Sequence, residues 1–272
     1  MRIVLWIGNG ANQKALANKI HERYKIDLIV IENKKSVGGV TFKKMFNRIA
    51  DKLLFSSINR AWEYMLSYYN RKFVDYPEVR RVYVENINSE IVYHETNVAD
   101  PHLIIVSGTS MIKERHLSLD PQIGLLNLHT GLSPYVKGGP NCTNWCISNN
   151  EMYLIGNTVM WIDKGIDSGN IVATECTPFT GHESLNDVHL KVMEHAHALY
   201  LNAINLIVSG EFSNVKQEEI GKGKTYYTKE WNISQKLNLL KNFKKFSAVV
   251  ASNDYKLKQA SVKTVAFKSK LK

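Results

Sequence analysis

Residues 2–8, Arg-Ile-Val-Leu-Trp-Ile-Gly, make an almost unbroken apolar run that ends in Gly8-Asn9-Gly10-Ala11-Asn12. A short continuous apolar run describes a strand buried on both faces. The glycines let the chain turn sharply and leave amides free at the start of a helix, expected near Gln13. Leu28-Ile29-Val30-Ile31 is a second strand of the same kind. Strand, helix and strand in this rhythm imply a parallel sheet with right-handed crossovers. The opening therefore restricts the chain to an α/β, Rossmann-like class with a parallel or mixed sheet.

Residues 33–79 interrupt the rhythm. Phe42, Met45, Phe46, Ile49 and Leu53 follow helical spacing, and so do Ile58, Trp62, Met65, Leu66 and Tyr69. The stretch is expected to be a helical insertion that packs its aromatics on the sheet. Its second reading is a wall of an acceptor pocket, with an aromatic ring free to stack on a base or sugar. Strands then resume at Val82–Val84, Leu103–Ser107 and Ile123–His129. A helix is expected over Asn141–Ser148, strands over Asn157–Ile162 and Ile171–Thr174, and a long helix over Ser184–Val208. The catalytic domain is thus expected over residues 1–210, followed by a C-terminal extension over 211–272.

Charge and cysteine content narrow the function. Of 35 basic residues, nine are lysines after Leu240, where Asp254 is the single acid. Nine lysines less one acid place +8 of the net charge of +10 in a basic tail, expected to be a solvated end with at most weak contact to RNA, which argues against a nucleic-acid partner for the body. No apolar run reaches membrane-spanning length, and the first strand starts without a signal-peptide pattern. A cytoplasmic protein with no membrane partner is expected. The three cysteines, Cys142, Cys146 and Cys176, read as free structural thiols with no metal site.

Two segments carry chemistry. In Asn127-Leu128-His129 the amide and the imidazole share one face of a strand, at the carboxyl end where open α/β sheets place ligands. Asp163-Lys164-Gly165-Ile166-Asp167-Ser168-Gly169 is a glycine-rich loop with two carboxylates. When an amine attacks a formyl carbon, negative charge develops on oxygen, and one amide donor there contributes roughly 3–4 kcal/mol. An imidazole can take the amine proton and pass it to the leaving nitrogen. A carboxylate can orient that imidazole. His189, His195 and His197 fall on the long helix and His182 in a loop, so none of them is expected to be catalytic.

These segments resemble the folate-dependent formyltransferase family. The pattern is Asn127-Leu128-His129, then Leu132-Ser133-Pro134-Tyr135-Val136-Lys137-Gly138, then the loop ending at Gly169. The resemblance implies 10-formyltetrahydrofolate as co-substrate. It also implies that Asn127 stabilises the oxyanion, that His129 moves the proton, and that Asp167 holds His129 or a water. It places the donor's pterin between two loops, at Ser107, Thr109, Ser110, Met111 and Ile112 and at Ile162, Asp163 and Ile166. Acceptor contacts are expected at Gly10, Asn12, Ser133, Tyr135, Lys137 and Gly138.

Among subfamilies, the phrase Gly131–Gly138 and the later Gly223-Lys224-Thr225-Tyr226-Tyr227 look like sugar N-formyltransferases. Those enzymes formylate nucleotide-linked amino sugars for surface polysaccharide such as O-antigen, and many are homodimers. Methionyl-tRNA formyltransferase carries a larger C-terminal barrel than the expected extension. In glycinamide ribonucleotide formyltransferase a serine commonly stands where Ala11 does. A binding protein on the same scaffold, with its chemistry lost, is the non-enzyme alternative.

Overall fold

The structure, a computed structural model, describes residues 1–34 and 54–267. The expected helix through Phe42 and Leu53 lies outside the described residues. The strands are β1 (Ile3–Gly8), β2 (Leu28–Glu32), β3 (Arg81–Val84), β4 (Leu103–Ser107), β5 (Gly124–His129), β6 (Val136–Gly138), β7 (Gly156–Trp161), β8 (Ile171–Cys176) and β9 (Lys224–Tyr226). Seven of them form one sheet in the order β3-β2-β1-β4-β5-β7-β8. All pairings from β3 to β5 are parallel, while β7 runs antiparallel to both β5 and β8. The sheet is therefore mixed. β6 and β9 form a separate parallel ribbon.

The helices are α1 (Ala11–His21), α2 (Ser56–Lys72), α3 (Glu90–Ala99), α4 (Glu114–Leu117), α5 (Cys142–Ser148), α6 (Leu185–Val208), α7 (Gln217–Ile220), α8 (Ile233–Phe243), α9 (Phe246–Ala251) and α10 (Asn253–Ser261). Helix α1 begins at Ala11, two residues before the expected start, because Gly10 serves as its N-cap. Ser184 and Asp187 close a capping box on α6, which fixes that helix start where the sequence placed it.

Alternation along the buried strands separates two cores. Leu5, Ile7, Ile29, Ile105, Leu126 and Leu128 face α1 and α6, where Leu16, Leu199 and Ile204 meet them. Val4, Trp6, Val30, Ile104, Val106 and Leu125 face the other way, toward Val92 of α3. β2 lies to one side of β1 and β4 to the other. The strand order thus reverses at β1, and a crevice opens at the carboxyl ends of β1 and β4. There an added Cβ on Gly8 would lie 2.6 Å from the Gly108 carbonyl oxygen, so the crevice floor has no room for a side chain.

Two expectations are corrected. The aromatics of α2 do not pack on the sheet. Met65 and Tyr69 pack against Ala11 and Ala15 of α1 and Met193 of α6, since those helices already cover that face. The basic segment after Leu240 is not a solvated tail through its described part. Phe246, Val250 and Tyr255 join Val136, Trp145, Val188 and the preceding Leu239 in one buried cluster. Apolar spacing within α8 to α10 buries one side while the lysines remain outside. Val265 adds a backbone amide bond to the Thr174 hydroxyl at 2.8 Å. Among the described residues no helix is long and apolar enough to cross a membrane.

Candidate active site

Two cavities open at the crevice. The first, of about 610 Å³, lies among the loop after β4, the 161–169 loop, Gly138 to Pro140 and Tyr226 to Thr228. The second, of about 580 Å³, is lined by Gly8 to Gly10, Asn12, Glu32 to Lys34, Trp62, His129 and Met193, among others. Both volumes suit ligands of coenzyme or nucleotide size. Asn127, Gly138 and Asp167 line both cavities, so the two spaces meet there.

His129 is buried beside that junction. Its Nδ1 lies 3.5 Å from Asp167 Oδ2. Its Nε2 lies 3.3 Å from the Val136 carbonyl oxygen and 3.6 Å from Cys142 Sγ. A carboxylate and a carbonyl can only accept hydrogen bonds, so two protonated ring nitrogens satisfy this setting best. Burial opposes the charged ring, but the Asp167 carboxylate and the Cys142 sulfur outweigh it and hold the pKa up at about 9. His189 shows the opposite case. It is buried without a carboxylate and pushed down to about 4, and its Nε2 lies 3.1 Å from Asn144 Oδ1. His195 pairs with Glu175 at 2.9 Å, away from both cavities.

Asp167 is held on both sides. Its Oδ2 accepts the Gly138 amide at 2.9 Å. Its backbone lies in the left-handed region, with φ of +47°. Gln217 Nε2 donates to the carbonyls of Asp167 at 2.7 Å and Gly169 at 2.9 Å, which fixes that uncommon conformation. Gly138 has φ of +82°, and a Cβ there would lie 2.2 Å from the Tyr226 carbonyl oxygen. Replacing Gly138 by Ala is therefore expected to part β6 from β9 and free Asp167, at a cost above about 1 kcal/mol. Thermal unfolding of G138A checks this. A variant as stable and as active as the parent chain would contradict it.

The sequence-based residues divide between the two cavities, with some at both and some at neither. Ser110, Met111, Ile112, Ile162, Asp163 and Ile166 line the first cavity, and Thr109 lines both. Ser107 lines the second instead, since it alternates on β4 with Val106, which lines the first. Gly10 and Asn12 line the second cavity, and Gly138 lines both. Ser133, Tyr135 and Lys137 line neither. Ser133 is buried, with its amide bound to the Thr158 hydroxyl. Tyr135 turns its hydroxyl to the Lys263 carbonyl, under the C-terminal segment.

Sequence reasoning missed several lining residues. Glu32 is buried at the end of β2, where its two oxygens accept the amides of Ile87 at 2.9 Å and Ser110 at 2.6 Å. It thereby fixes the loop after β4. An acid abutting the apolar run Leu28–Ile31 was the available signal. Trp62 is 39% exposed, meets His189 edge-on and faces the second cavity, in keeping with the pocket-wall reading. Tyr226 to Thr228 come from beyond α6; the phrase through Tyr227 reads as a subfamily resemblance, not as part of the cavity wall.

The family model described as Formyl transferase matches residues 1–204. The chain belongs to the formyl transferase family. A methionyl-tRNA formyltransferase of Clostridium tetani is 30% identical over 119 residues, which are 44% of this chain and 38% of that protein. The match thus spans well under half of that relative. Among solved structures, a sugar N-formyltransferase from Shewanella sp. aligns with a TM-score of 0.57 at 12% identity, over 89% of this chain and 88% of that one. An N-formyltransferase from Helicobacter canadensis, in complex with folinic acid and dTDP-3-aminofucose, gives 0.56 at 18% identity, over 89% and 81%. At such identities the likeness is one of fold.

Proposed function

We propose that this chain transfers a formyl group from 10-formyltetrahydrofolate to the amine of a nucleotide-activated amino sugar. The observation that carries this reading is the meeting of two ligand-sized cavities at Asn127 and Asp167, with His129 buried behind them. A donor in the first cavity and an acceptor in the second would bring formyl carbon and amine together at that junction. No protein nucleophile is needed, because the acceptor supplies the attacking electron pair.

The geometry supports a role for each residue. Asn127 offers its side-chain amide to the formyl oxygen as charge develops there. The sequence-based expectation had the imidazole taking the amine proton first. With its pKa held near 9, His129 instead enters as imidazolium at neutral pH. Its proton is thus available to the leaving nitrogen, and the amine proton later restores it. Asp167, which lines both cavities and lies 3.5 Å from the ring, keeps the ring charged. Activity is expected to fall as pH rises through about 9, since the acid form is the competent one. A pH profile of kcat/KM checks this, and an activity that climbs through the same range would reverse the assigned order of proton transfers.

The sugar acceptor is favoured by similarity along most of the chain to sugar N-formyltransferases and by the aromatic face of Trp62 in the second cavity. The second reading, methionyl-tRNA as acceptor, rests on the curated relatives. Against it, the described part of the extension is mostly helix, with β9 as its one named strand among the described residues. A cytoplasmic, dimeric enzyme that supplies surface polysaccharide completes the proposal. Incubating the protein with donor and a nucleotide-linked amino sugar tests it. Mass spectrometry should find one formyl group added to the sugar amine, and formylation of methionyl-tRNA alone would select the second reading.

A further inference from the structure

β3 is one edge of the seven-stranded sheet, and among the described residues no strand pairs along its outer side. The carbonyls of Arg80 and Val84 accept the amides of Ile29 and Asn33, so Arg80, Val82 and Val84 turn their main chain toward β2. Arg81 and Tyr83 alternate with them and turn theirs outward. Proteins usually protect such an edge with charge, proline or a bulge. Here the middle of the edge is Val82-Tyr83-Val84, and Tyr83 is 59% exposed.

The helix beside this edge is also incompletely covered. Glu95 of α3 forms an ion pair with Arg80, just before β3. Ile91, Glu95 and Val98 are spaced by four and three residues, so they share one side of α3. That side therefore faces the sheet edge. On it, Ile91 is 49% exposed and Val98 is 61% exposed.

The edge is complementary to itself. Across Arg81-Val82-Tyr83-Val84-Glu85, an antiparallel copy centred on Tyr83 sets Arg81 against Glu85, Val82 against Val84 and Tyr83 against Tyr83. In this register the outward amide of each Tyr83 donates to the carbonyl of the other, as in a hydrogen-bonded antiparallel pair. Opposite charges, not like ones, meet on either side of the centre. The two-fold axis stands perpendicular to the sheet, so both α3 helices fall on the same face and present Ile91 and Val98 to each other.

We propose that two copies of this chain associate through β3 and α3, antiparallel about Tyr83, to form one continuous sheet. The contact is isologous and closes on itself, so it gives a dimer and not a filament. It supplies the dimer of the proposed function with a surface, and it does not depend on the formyl chemistry. The crevice lies at the carboxyl ends of β1 and β4, inward from this edge, so each copy keeps an open site.

Sedimentation velocity of the full chain over a concentration series tests this, together with variants. The parent is expected at twice the chain mass. Tyr83→Lys sets two ammonium groups together at the axis and should sediment at one chain mass. The two Cα atoms at this position would lie about 5.5 Å apart, within reach of a disulfide. Tyr83→Cys should therefore give a covalent dimer under mild oxidation, while Leu257→Cys, at a 70% exposed position on α10, should not. A parent of one chain mass throughout the series would overturn the dimer and this surface together. A dimeric parent whose Tyr83→Lys variant stays dimeric, or equal cross-linking at positions 83 and 257, would keep the dimer and overturn this edge as its surface. Circular dichroism identifies a lysine variant that fails to fold, and the cysteine cross-link then decides.

Discussion

Replacing Asp167 by Asn is expected to lower the pKa of His129 by roughly 1–3 units from its value of about 9. Burial is the largest influence on this ring, and it disfavours the charge. What overcomes it is, first, the carboxylate 3.5 Å from Nδ1. Asn keeps the shape and can still accept the Gly138 amide, so the loop should stay in place while the compensating charge goes. The titration can be followed directly by NMR of the His129 ring. A ring that still titrates near 9 in D167N would mean that Cys142 and Val136, not Asp167, hold its proton. The same pair has a stability consequence. A histidine whose folded pKa is raised stabilises the fold most below its unfolded value of roughly 6.5 and loses that contribution as pH rises through 9. The parent chain should therefore lose thermal stability between those values, and D167N should lose much less.

The second large effect concerns His129 itself. His129→Ala is expected to reduce turnover by roughly 10²–10⁴-fold, the usual contribution of one positioned proton donor. The fold should survive. The ring adjoins Gly131 and Cys142 at the junction, and it is not among the large side chains that fill either face of the sheet. Near-normal turnover in a folded H129A protein would remove this residue from the chemistry. It would leave Asn127 and Asp167, which line both cavities, as the working pair.

Much of the architecture could be read from local pattern because the strands are short, continuously apolar and bounded by glycine or aspartate. β1, β2 and β4 come nearest to this form, and a strand buried on both faces has few other readings. The three candidate site residues were also legible. Asn127 and His129 alternate on one strand, and Asp167 sits in a loop rich in glycine. What escaped was everything set by distant packing. Lys137 and Tyr135 stand within the motif, yet the β6–β9 ribbon and the Tyr135–Lys263 bond turn them from the cavities. Gln217 reaches Asp167 from 50 residues away, and no local spacing announces that. The C-terminal segment misled for a related reason. Its lysine content dominates the composition, but a few residues such as Leu239, Phe246 and Tyr255 decide whether it docks. Charge counts describe the solvated side of such helices and say nothing about the buried one.

The protein's assignment turns on whether an amine acceptor is required to release the folate. The most direct measurement is tetrahydrofolate formation from 10-formyltetrahydrofolate, with nucleotide-linked amino sugars, glycinamide ribonucleotide and methionyl-tRNA offered separately. Release that depends on one amino sugar, and that falls with H129A, is the expected result. Release with none of these acceptors, or equal release when no amine is present, would contradict formyl transfer at the Asn127–His129–Asp167 junction.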